Sequence, residues 1–292
     1  MIDLHIHSTN SDGTDSVVEI LKKAQDLRLD YISFTDHDNC KSYNELKDID
    51  IKKYYTGKIV PGIEIKCGYK NHLIELLGYN IDTDKMTKWL NDFYKDKSIA
   101  DLQNKYFNIY YENCIKMGLV MNEKNNIKFN PEKDWASVAI YYEIKSHEEN
   151  KEKLPEDLWK EFDIFSKKYC GNVNYPLYID KSKDAPTVKE TINAIKKANG
   201  LVFLPHLFIY EWAEDKVEFI DEILNNYNID GVECMHNTFS EENINYLEKI
   251  CNERGYYKSG GSDYHGNNKP NISLGTGKGN LKIPNEYIEE WI

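Results

Sequence analysis

The sequence contains only two arginines, Arg28 and Arg254, and its 37 basic residues are outnumbered by 49 acidic ones. The formal net charge of −12 excludes a broad basic face of the kind that binds long nucleic acid through its phosphates. It leaves room for a small anionic substrate bound at one local cationic point. Because arginine is so scarce, lysines, backbone amides or metal ions have to supply that positive charge.

The sequence also lacks long apolar runs and paired cysteines. No stretch of about eighteen apolar residues occurs, and no basic segment followed by an apolar one opens the chain, so we expect neither a membrane partner nor a secretory leader. The six cysteines are scattered and form no C-x-x-C pair, which favours reduced thiols and a cytoplasmic protein. A hydrophobic content of 40% in 292 residues is enough for one large or two medium domains.

Short apolar runs that end in histidine or an acid recur along the chain. In the first run, residues 2–7, alternation with a period of two puts Asp3, His5 and His7 on one face of a strand. Further strands are predicted at 31–35, 58–65, 72–79, 201–204, 231–235 and 256–259, and helices after the Ser16/Glu19 capping box and at 187–199, 216–227 and 241–254. This alternation of strands and helices predicts a parallel α/β architecture.

Residues 83–186 have a different character, because strand signals stop and Tyr, Asn, Lys and Glu dominate. We predict that this segment is an inserted, mainly helical domain between the two parts of the α/β domain, residues 1–82 and 187–292. Its aromatic side chains could line a ligand site, but packing in a small core is the favoured interpretation. They are Tyr106, Phe107, Tyr110, Tyr111, Trp135, Tyr141 and Tyr142.

Six of the eight histidines lie in or beside a predicted strand, and several acids share those places. These residues are His5, His7, His37, His72, His206 and His265, with Asp12, Asp36, Glu64 and Asp263. The carboxyl ends of parallel strands meet at one mouth, and so many polar groups are costly to bury there unless cations bind them. The set of nitrogen and oxygen ligands suits two or three divalent ions, Mn, Zn or Fe, with Glu64 as a bridge. No pairing of a nucleophile with a base stands out as an alternative.

Four motifs resemble the signature of the polymerase and histidinol phosphatase (PHP) family. They are D-L-H-I-H-S-T-N-S-D-G at 3–13, T-D-H-D at 35–38, P-G-I-E-I at 61–65 and G-G-S-D-Y-H-G at 260–266. The chain is most similar to bacterial members that act on nucleoside 3′,5′-bisphosphates or short oligonucleotides. The resemblance covers about 1–82 and 187–283, and it implies a distorted (β/α)7 barrel and a centre of three metal ions.

The resemblance also implies a ligand set for each ion. The first ion would be held by His5, His7, Glu64 and Asp263, and the second by Glu64, His72 and His206. The third would be held by Asp12, His37 and His265. Asp36 is expected to orient a ligand or handle a proton without binding an ion itself.

Two residues near the predicted mouth leave alternatives open. His236 would contact the substrate or protonate the leaving group, or it is a structural or surface histidine. Glu233 ends a strand, where hydrogen bonding at the end of the barrel is favoured over shaping the mouth.

The segment Leu204-Pro205-His206 departs from the A-H-P of many family members, and Phe208 follows it without the arginine of the bisphosphatases. Phe239 stands where the family often has a histidine. Our leading hypothesis is a phosphoesterase in which a metal-activated hydroxide hydrolyses a small phosphomonoester, with a nucleotide as the expected substrate. The alternatives are a 5′→3′ exonuclease on short oligonucleotides, a histidinol phosphatase and a non-catalytic metal-binding module.

Overall fold

The strands and helices follow the alternation and capping signals of the chain. The structure is a computed structural model that describes residues 1–292 apart from the side chain of Asp163. The strands are β1 (Ile2–Ile6), β2 (Tyr31–Phe34), β3 (Lys58–Ile59), β4 (Gly62–Tyr69), β5 (His72–Tyr79), β6 (Leu201–Leu204), β7 (Gly231–His236) and β8 (Tyr257–Gly261). The helices are α1 (Val17–Asp26), α2 (Lys41–Lys47), α3 (Thr83–Tyr94), α4 (Ile99–Lys116), α5 (Ala136–Lys145), α6 (Phe162–Ile164), α7 (Val188–Lys197), α8 (Lys216–Asn226), α9 (Glu241–Arg254) and α10 (Glu286–Glu289).

Reciprocal side-chain caps begin several of these helices. At α1 the Ser16 backbone N–H donates to the Glu19 carboxylate at 2.8 Å, and the Ser16 hydroxyl accepts from the Glu19 backbone, as the capping box predicted. Thr187 and Glu190 form the same box at α7. None of the helices in the described residues is both long and apolar enough to cross a lipid bilayer.

The strands form two sheets, and the predicted α/β class is confirmed. The first sheet has the order β1-β2-β3 and is parallel, with Ile2 opposite Tyr31. The second has the order β4-β5-β6-β7-β8, in which β6, β7 and β8 are parallel neighbours. Single bridges also join Ile6 to Tyr264 and His37 to Glu64.

The predicted parallel arrangement is wrong for one strand, β5, while the distorted (β/α)7 barrel stays a prediction. The named strands make two hydrogen-bonded sheets joined by the single bridges above, and β5 runs antiparallel to β6. The physical reason for the reversed direction of β5 lies in the connection from β4 to β5, which is only Lys70 and Asn71. A parallel crossover needs a dozen or more residues, so this short turn reverses the direction of β5.

The chain divides into two compact units. One comprises Met1–Tyr69, Leu73–Asp92 and Ala185–Ile292, and the other comprises Lys70–His72 and Phe93–Asp184. The second unit has its own hydrophobic core, in which Tyr106, Phe107, Tyr110 and Tyr141 are buried. Core packing is therefore confirmed for these four aromatic residues, while an inserted domain at 83–186 stays a prediction.

Candidate metal centre

The carboxyl end of β1 brings two imidazoles to one acid on β4. His5 and His7 are fully buried, and the Nε2 atom of each lies 3.2 Å from Glu64 Oε2. Asp263, just after β8, places its Oδ1 atom 3.7 Å from His5 Nε2 and 3.5 Å from His7 Nε2. The structure thus brings together the four residues that the resemblance assigned to the first ion.

The loop after β1 folds Asp12 back over the same mouth. Ser8 O accepts hydrogen bonds from the backbone N–H groups of Ser11 and Gly13, which closes the loop. Gly13 is required there because a Cβ atom would lie 2.3 Å from His7 O. The chain reversal leaves the Asp12 carboxylate close to the ends of β1, β2 and β8.

Three histidines surround that carboxylate. His265 Nε2 lies 3.2 Å from Asp12 Oδ1, His7 Nδ1 lies 3.5 Å from the same oxygen, and His37 Nε2 lies 3.6 Å from Asp12 Oδ2. The rings of His7 and His265 are stacked with their centroids 4.1 Å apart. The group assigned by resemblance to the third ion is therefore also assembled.

Glu64 joins these two groups to a further one. Its Oε1 atom lies 2.8 Å from His206 Nε2, and its Oε2 atom lies 3.3 Å from His37 Nδ1. Glu75, on β5, places Oε2 at 3.3 Å from His206 Nε2 and Oε1 at 3.8 Å from His37 Nδ1. Glu64 thereby approaches four imidazoles, as a bridging ligand would.

Glu75, and not the predicted His72, lies in this last group with Glu64 and His37. The predicted position of His72 among the ligands is therefore wrong. His72 belongs to none of the convergent ligand groups in the described residues, and its ring lies 6.3 Å from that of Tyr178. Successive residues of a strand face opposite sides, so His72 and Glu75, three residues apart on β5, point in opposite directions. The sequence feature that could have predicted Glu75 as a ligand is that it is the only acidic residue in the apolar run 72–79.

Two of the candidate ligand residues have backbone dihedral angles in the left-handed region. His206 has φ of 31° and Asp263 has φ of 54°, in a region that side chains other than glycine rarely adopt. His206 is held there by its backbone N–H, which donates to Glu233 Oε2 at 2.7 Å. Backbone strain of this kind concentrates at functional sites, where it directs a side chain.

Buried atoms without hydrogen-bond partners provide a test of whether cations fit this centre. His7 Nε2, Asp12 Oδ1 and His37 Nδ1 are buried and find no such partner among the described residues. All three belong to the convergent groups, whose ligand atoms lie within 4.8 Å of one another. Unpaired buried polar atoms are costly, and divalent cations bind this mixture of imidazole nitrogen and carboxylate oxygen. The residues therefore fit metal ions.

Charge within the cluster keeps two of the acids ionised. Burial opposes ionisation of Glu64, but the imidazoles of His5 and His37 more than offset it, so its pKa lies well below the usual range. Burial likewise opposes ionisation of Asp263, and Lys269 with His236 holds the pKa of that acid well below normal. Ionised oxygens next to imidazole nitrogens form the kind of site that attracts divalent cations.

Glu233 supports the centre from the end of β7. Its Oε1 atom accepts a hydrogen bond of 2.8 Å from His5 Nδ1, and both side chains are fully buried. A proton on Nδ1 leaves the lone pair of Nε2 directed at Glu64, which is how a carboxylate orients a ligating histidine. The hydrogen-bonding interpretation of Glu233 is confirmed, and it acts on His5 and His206.

We expect Glu233→Gln to lower the metal affinity of the protein by about 10- to 100-fold. The wild-type carboxylate accepts from His5 and from the His206 backbone, whereas an amide offers one oxygen and one donor, so one of these bonds is lost. Isothermal titration with Mn²⁺ measures the change, with circular dichroism as the control for folding. Unchanged affinity in a folded variant would contradict this role.

Asp36 lies beside the centre but not in any of the convergent groups found in the described residues. It is buried and accepts hydrogen bonds from Ser8 N at 2.8 Å, from Ser11 Oγ at 2.7 Å and from Ser42 Oγ. Ser11 Oγ in turn lies 3.4 Å from His7 Nδ1. These contacts support the predicted orienting role, which acts through Ser11.

His236, at the end of β7, is brought to the edge of the cluster. It is buried, and its Nε2 atom lies 3.4 Å from Asp263 Oδ2, while its Nδ1 atom lies 2.9 Å from Thr238 Oγ1. Burial lowers the pKa of His236, although attraction to Asp263 opposes the shift. The ring is therefore not a surface histidine, and its neutral form is favoured.

Cations at the mouth come from lysine, as the scarcity of arginine led us to expect. Lys269 Nζ lies 2.6 Å from Asp263 Oδ2. Lys66 follows Glu64 by two residues on β4 and so shares its face of the strand. Arg254 pairs with Asp221, away from the ligand groups, through a contact of 2.5 Å.

Curated relatives of this chain include enzymes that act on phosphate esters. It is 22% identical over 271 residues to a 5′-3′ exoribonuclease of Haemophilus influenzae, covering 90% of this chain and 89% of that protein. It is 21% identical to a phosphoribosyl 1,2-cyclic phosphate 1,2-diphosphodiesterase of Eggerthella lenta, covering 90% and 94%. A 5′-3′ exoribonuclease of Salmonella typhimurium is 31% identical, but over 80 residues only, so the match spans about a quarter (27%) of either chain.

A solved structure and a family model complete the comparison. A crystal structure from Bifidobacterium adolescentis, of a protein whose assignment as a metal-dependent phosphoesterase is itself a prediction, shares the fold. Its TM-score is 0.67 at 19% identity, over 99% of this chain and 94% of that one. The PHP domain model matches residues 3–237, which include every residue of the three convergent groups except His265. The chain therefore belongs to the PHP domain family.

Proposed function

We propose that this chain is a metal-dependent phosphoesterase that hydrolyses a small phosphomonoester, with a nucleotide as the substrate class. The observation that carries the proposal is the convergence of three ligand groups, two of which share Glu64, while His37 links Glu64 to the third group around Asp12. These groups would hold two or three divalent ions, Mn, Zn or Fe. Their ligands are His5, His7, Glu64 and Asp263; Glu64, Glu75 and His206; and Asp12, His37 and His265.

Bound divalent ions supply Lewis acidity and an activated water for attack on phosphorus. The protein side chains orient those ligands and shape the place of the leaving group. His236 stands beside Asp263 at the edge of the cluster, where it can contact the substrate or protonate the leaving group. Lys269, half exposed next to Asp263, adds positive charge where a phosphate would bind.

An aromatic group beside the centre supports a nucleotide as substrate. Phe208 lies two residues after His206, is half-buried, and packs edge-on against Phe239 with ring centroids 5.2 Å apart. The Phe239 ring lies 5.3 Å from that of His236. A planar base can stack on such a ring while its phosphate reaches the ions. The name of one relative, an exoribonuclease, points to nucleotides, and that of another, a phosphoribosyl cyclic phosphate phosphodiesterase, points to a phosphorylated ribose.

The test is phosphate release in added Mn²⁺ from a panel of phosphomonoesters. The panel contains nucleoside 5′-monophosphates, nucleoside 3′,5′-bisphosphates and histidinol phosphate. We expect release that a chelator abolishes and that is fastest with a nucleotide. A folded, metal-loaded protein that releases phosphate from no member would contradict the proposal.

A 5′→3′ exonuclease acting on short oligonucleotides is the second candidate, and the names of two relatives favour it. The net charge of −12 disfavours long polyanions but not a few nucleotides. Activity that rises with oligonucleotide length and falls steeply with salt would identify this function. Activity that is independent of both would identify the phosphomonoesterase.

We expect Phe208→Ala to raise the KM for a nucleotide by about 5- to 150-fold, because stacking on an aromatic ring contributes about 1–3 kcal/mol per base. The KM for ribose 5-phosphate, which has no base, serves as the control and should change little. Steady-state kinetics with both substrates measures the ratio. Equal effects on the two would show that Phe208 does not contact a base.

A further inference from the structure

Glu75 gives one position of the centre a second acid. That position is lined by the Glu64 and Glu75 carboxylates and by the imidazoles of His206 and His37, with contacts of 2.8 to 3.8 Å. Of the three ligands proposed for this position, Glu64, Glu75 and His206, two are acids, whereas the His5 and His7 set has two acids among four ligands and the Asp12 set has one among three. Carboxylate ligands suit oxygen-preferring ions such as Mn²⁺, and imidazole suits Zn²⁺ better.

Two acids so close together need compensation. Lys66 on β4 and Glu75 on β5 each lie four residues from the two-residue turn at 70–71, so they are cross-strand neighbours in this hairpin. Lys66 shares its face of β4 with Glu64, and Glu64 and Glu75 approach the same nitrogen, His206 Nε2, at 2.8 and 3.3 Å. Lys66 therefore lies where it can neutralise the extra acid.

We propose that Glu75 and Lys66 are a charge-matched pair at this position of the centre. Glu75 supplies an oxygen ligand beside Glu64 and His206, and Lys66 neutralises the additional acid. The position consequently prefers Mn²⁺ over Zn²⁺ more strongly than the same site with histidine would. The inference rests on the proposed metal dependence and adds the choice of metal.

The test compares the binding of Mn²⁺ and Zn²⁺ to the full chain, without any activity assay. Bound ions are counted by elemental analysis after dialysis, and affinities come from competition titrations. We expect Glu75→Gln to lose one Mn²⁺ or to weaken its binding by more than about tenfold. Glu75→His should keep the number of ions and shift the affinity ratio towards Zn²⁺ by about tenfold or more, which is about 1.4 kcal/mol.

His72→Ala is the matched control, because His72 is on the same strand and faces the other side. We expect it to keep the ion count and the Mn²⁺-to-Zn²⁺ ratio. Loss of an ion in His72→Ala together with no change in Glu75→Gln would overturn the proposal. A wild-type protein that binds no ion at all would instead overturn the proposed function, so the two failures can be told apart.

The charge pairing has a separate readout in the metal-free protein. Lys66→Met leaves the two acids without their cation, so we expect a lower urea midpoint of unfolding. In the Glu75→Gln background the same substitution should cost less, because the extra acid is gone. If Lys66→Met lowered the urea midpoint of unfolding equally in the wild-type and Glu75→Gln proteins, the proposed pairing would be overturned.

Discussion

Glu64→Gln is expected to abolish the binding of at least one metal ion and to lower kcat by more than about a hundredfold, because even the loss of a ligand's hydrogen-bond partner costs about 10- to 100-fold. Glu64 is the side chain that two of the three ligand groups share, and its Oε2 atom lies 3.2 Å from the Nε2 atoms of both His5 and His7. An amide removes the charge and turns a donor towards imidazole lone pairs. Elemental analysis and phosphate release measure the two effects.

Glu253→Gln makes the same chemical change on the exposed end of α9 and serves as the control. It should leave both the ion count and kcat at the wild-type values. Thermal unfolding of both variants distinguishes loss of the ion from loss of the fold. A folded Glu64→Gln protein with the full number of ions and near-normal kcat would contradict the central position of this acid.

Gly261→Ala is expected to destabilise the protein by about 1–3 kcal/mol or more, the cost of forcing atoms into a packed interior. A Cβ atom on Gly261 would lie 2.2 Å from the Cβ atom of His5 and 2.5 Å from its backbone nitrogen. These atoms belong to β1 and cannot swing aside as the end of a flexible side chain can. The substitution should also displace His5 from Glu64 and so weaken metal binding. Urea unfolding and metal titration measure the two results.

Gly260→Ala tests the neighbouring residue of the same strand. Its added Cβ atom would meet Met235 O at 3.0 Å and Ile283 Cγ2 at 3.1 Å, contacts that a small shift relieves. We therefore expect a clearly smaller loss of stability than for Gly261→Ala. Equal stabilities of Gly261→Ala and the wild type would show that β8 can move away from β1 without cost.

Most of the centre could be predicted from sequence because its residues lie in or just after predicted strands. The period of a strand puts His5 and His7 on one face without any further information. Asp263 and His206 could be predicted as ligands because each follows an apolar run, and the carboxyl ends of parallel strands meet at one mouth. The structure brings His5, His7 and His206 close to Glu64, and Asp263 close to His5 and His7.

The incorrect prediction for His72 arose because local periodicity does not show which face of β5 lies towards the centre. The sequence 72–79 contains one histidine and one acid, and a ligand set built on resemblance chose the histidine. Which face of β5 turns towards Glu64 depends on the short turn that reverses the strand and on its pairing with β6. Strand direction and register are tertiary properties, and a shift of one residue exchanges the two faces.

The sequence by itself determined the α/β class, the excess of negative charge and the presence of histidines and acids at strand ends. These properties depend only on composition and on local periodicity. Only the tertiary structure decided that Glu75 joins Glu64 and His206, that Glu233 holds His5, and that β5 runs antiparallel to β6. Each of these requires contacts between residues far apart in the chain. Such contacts are set by strand direction, register and packing, which local periodicity does not specify.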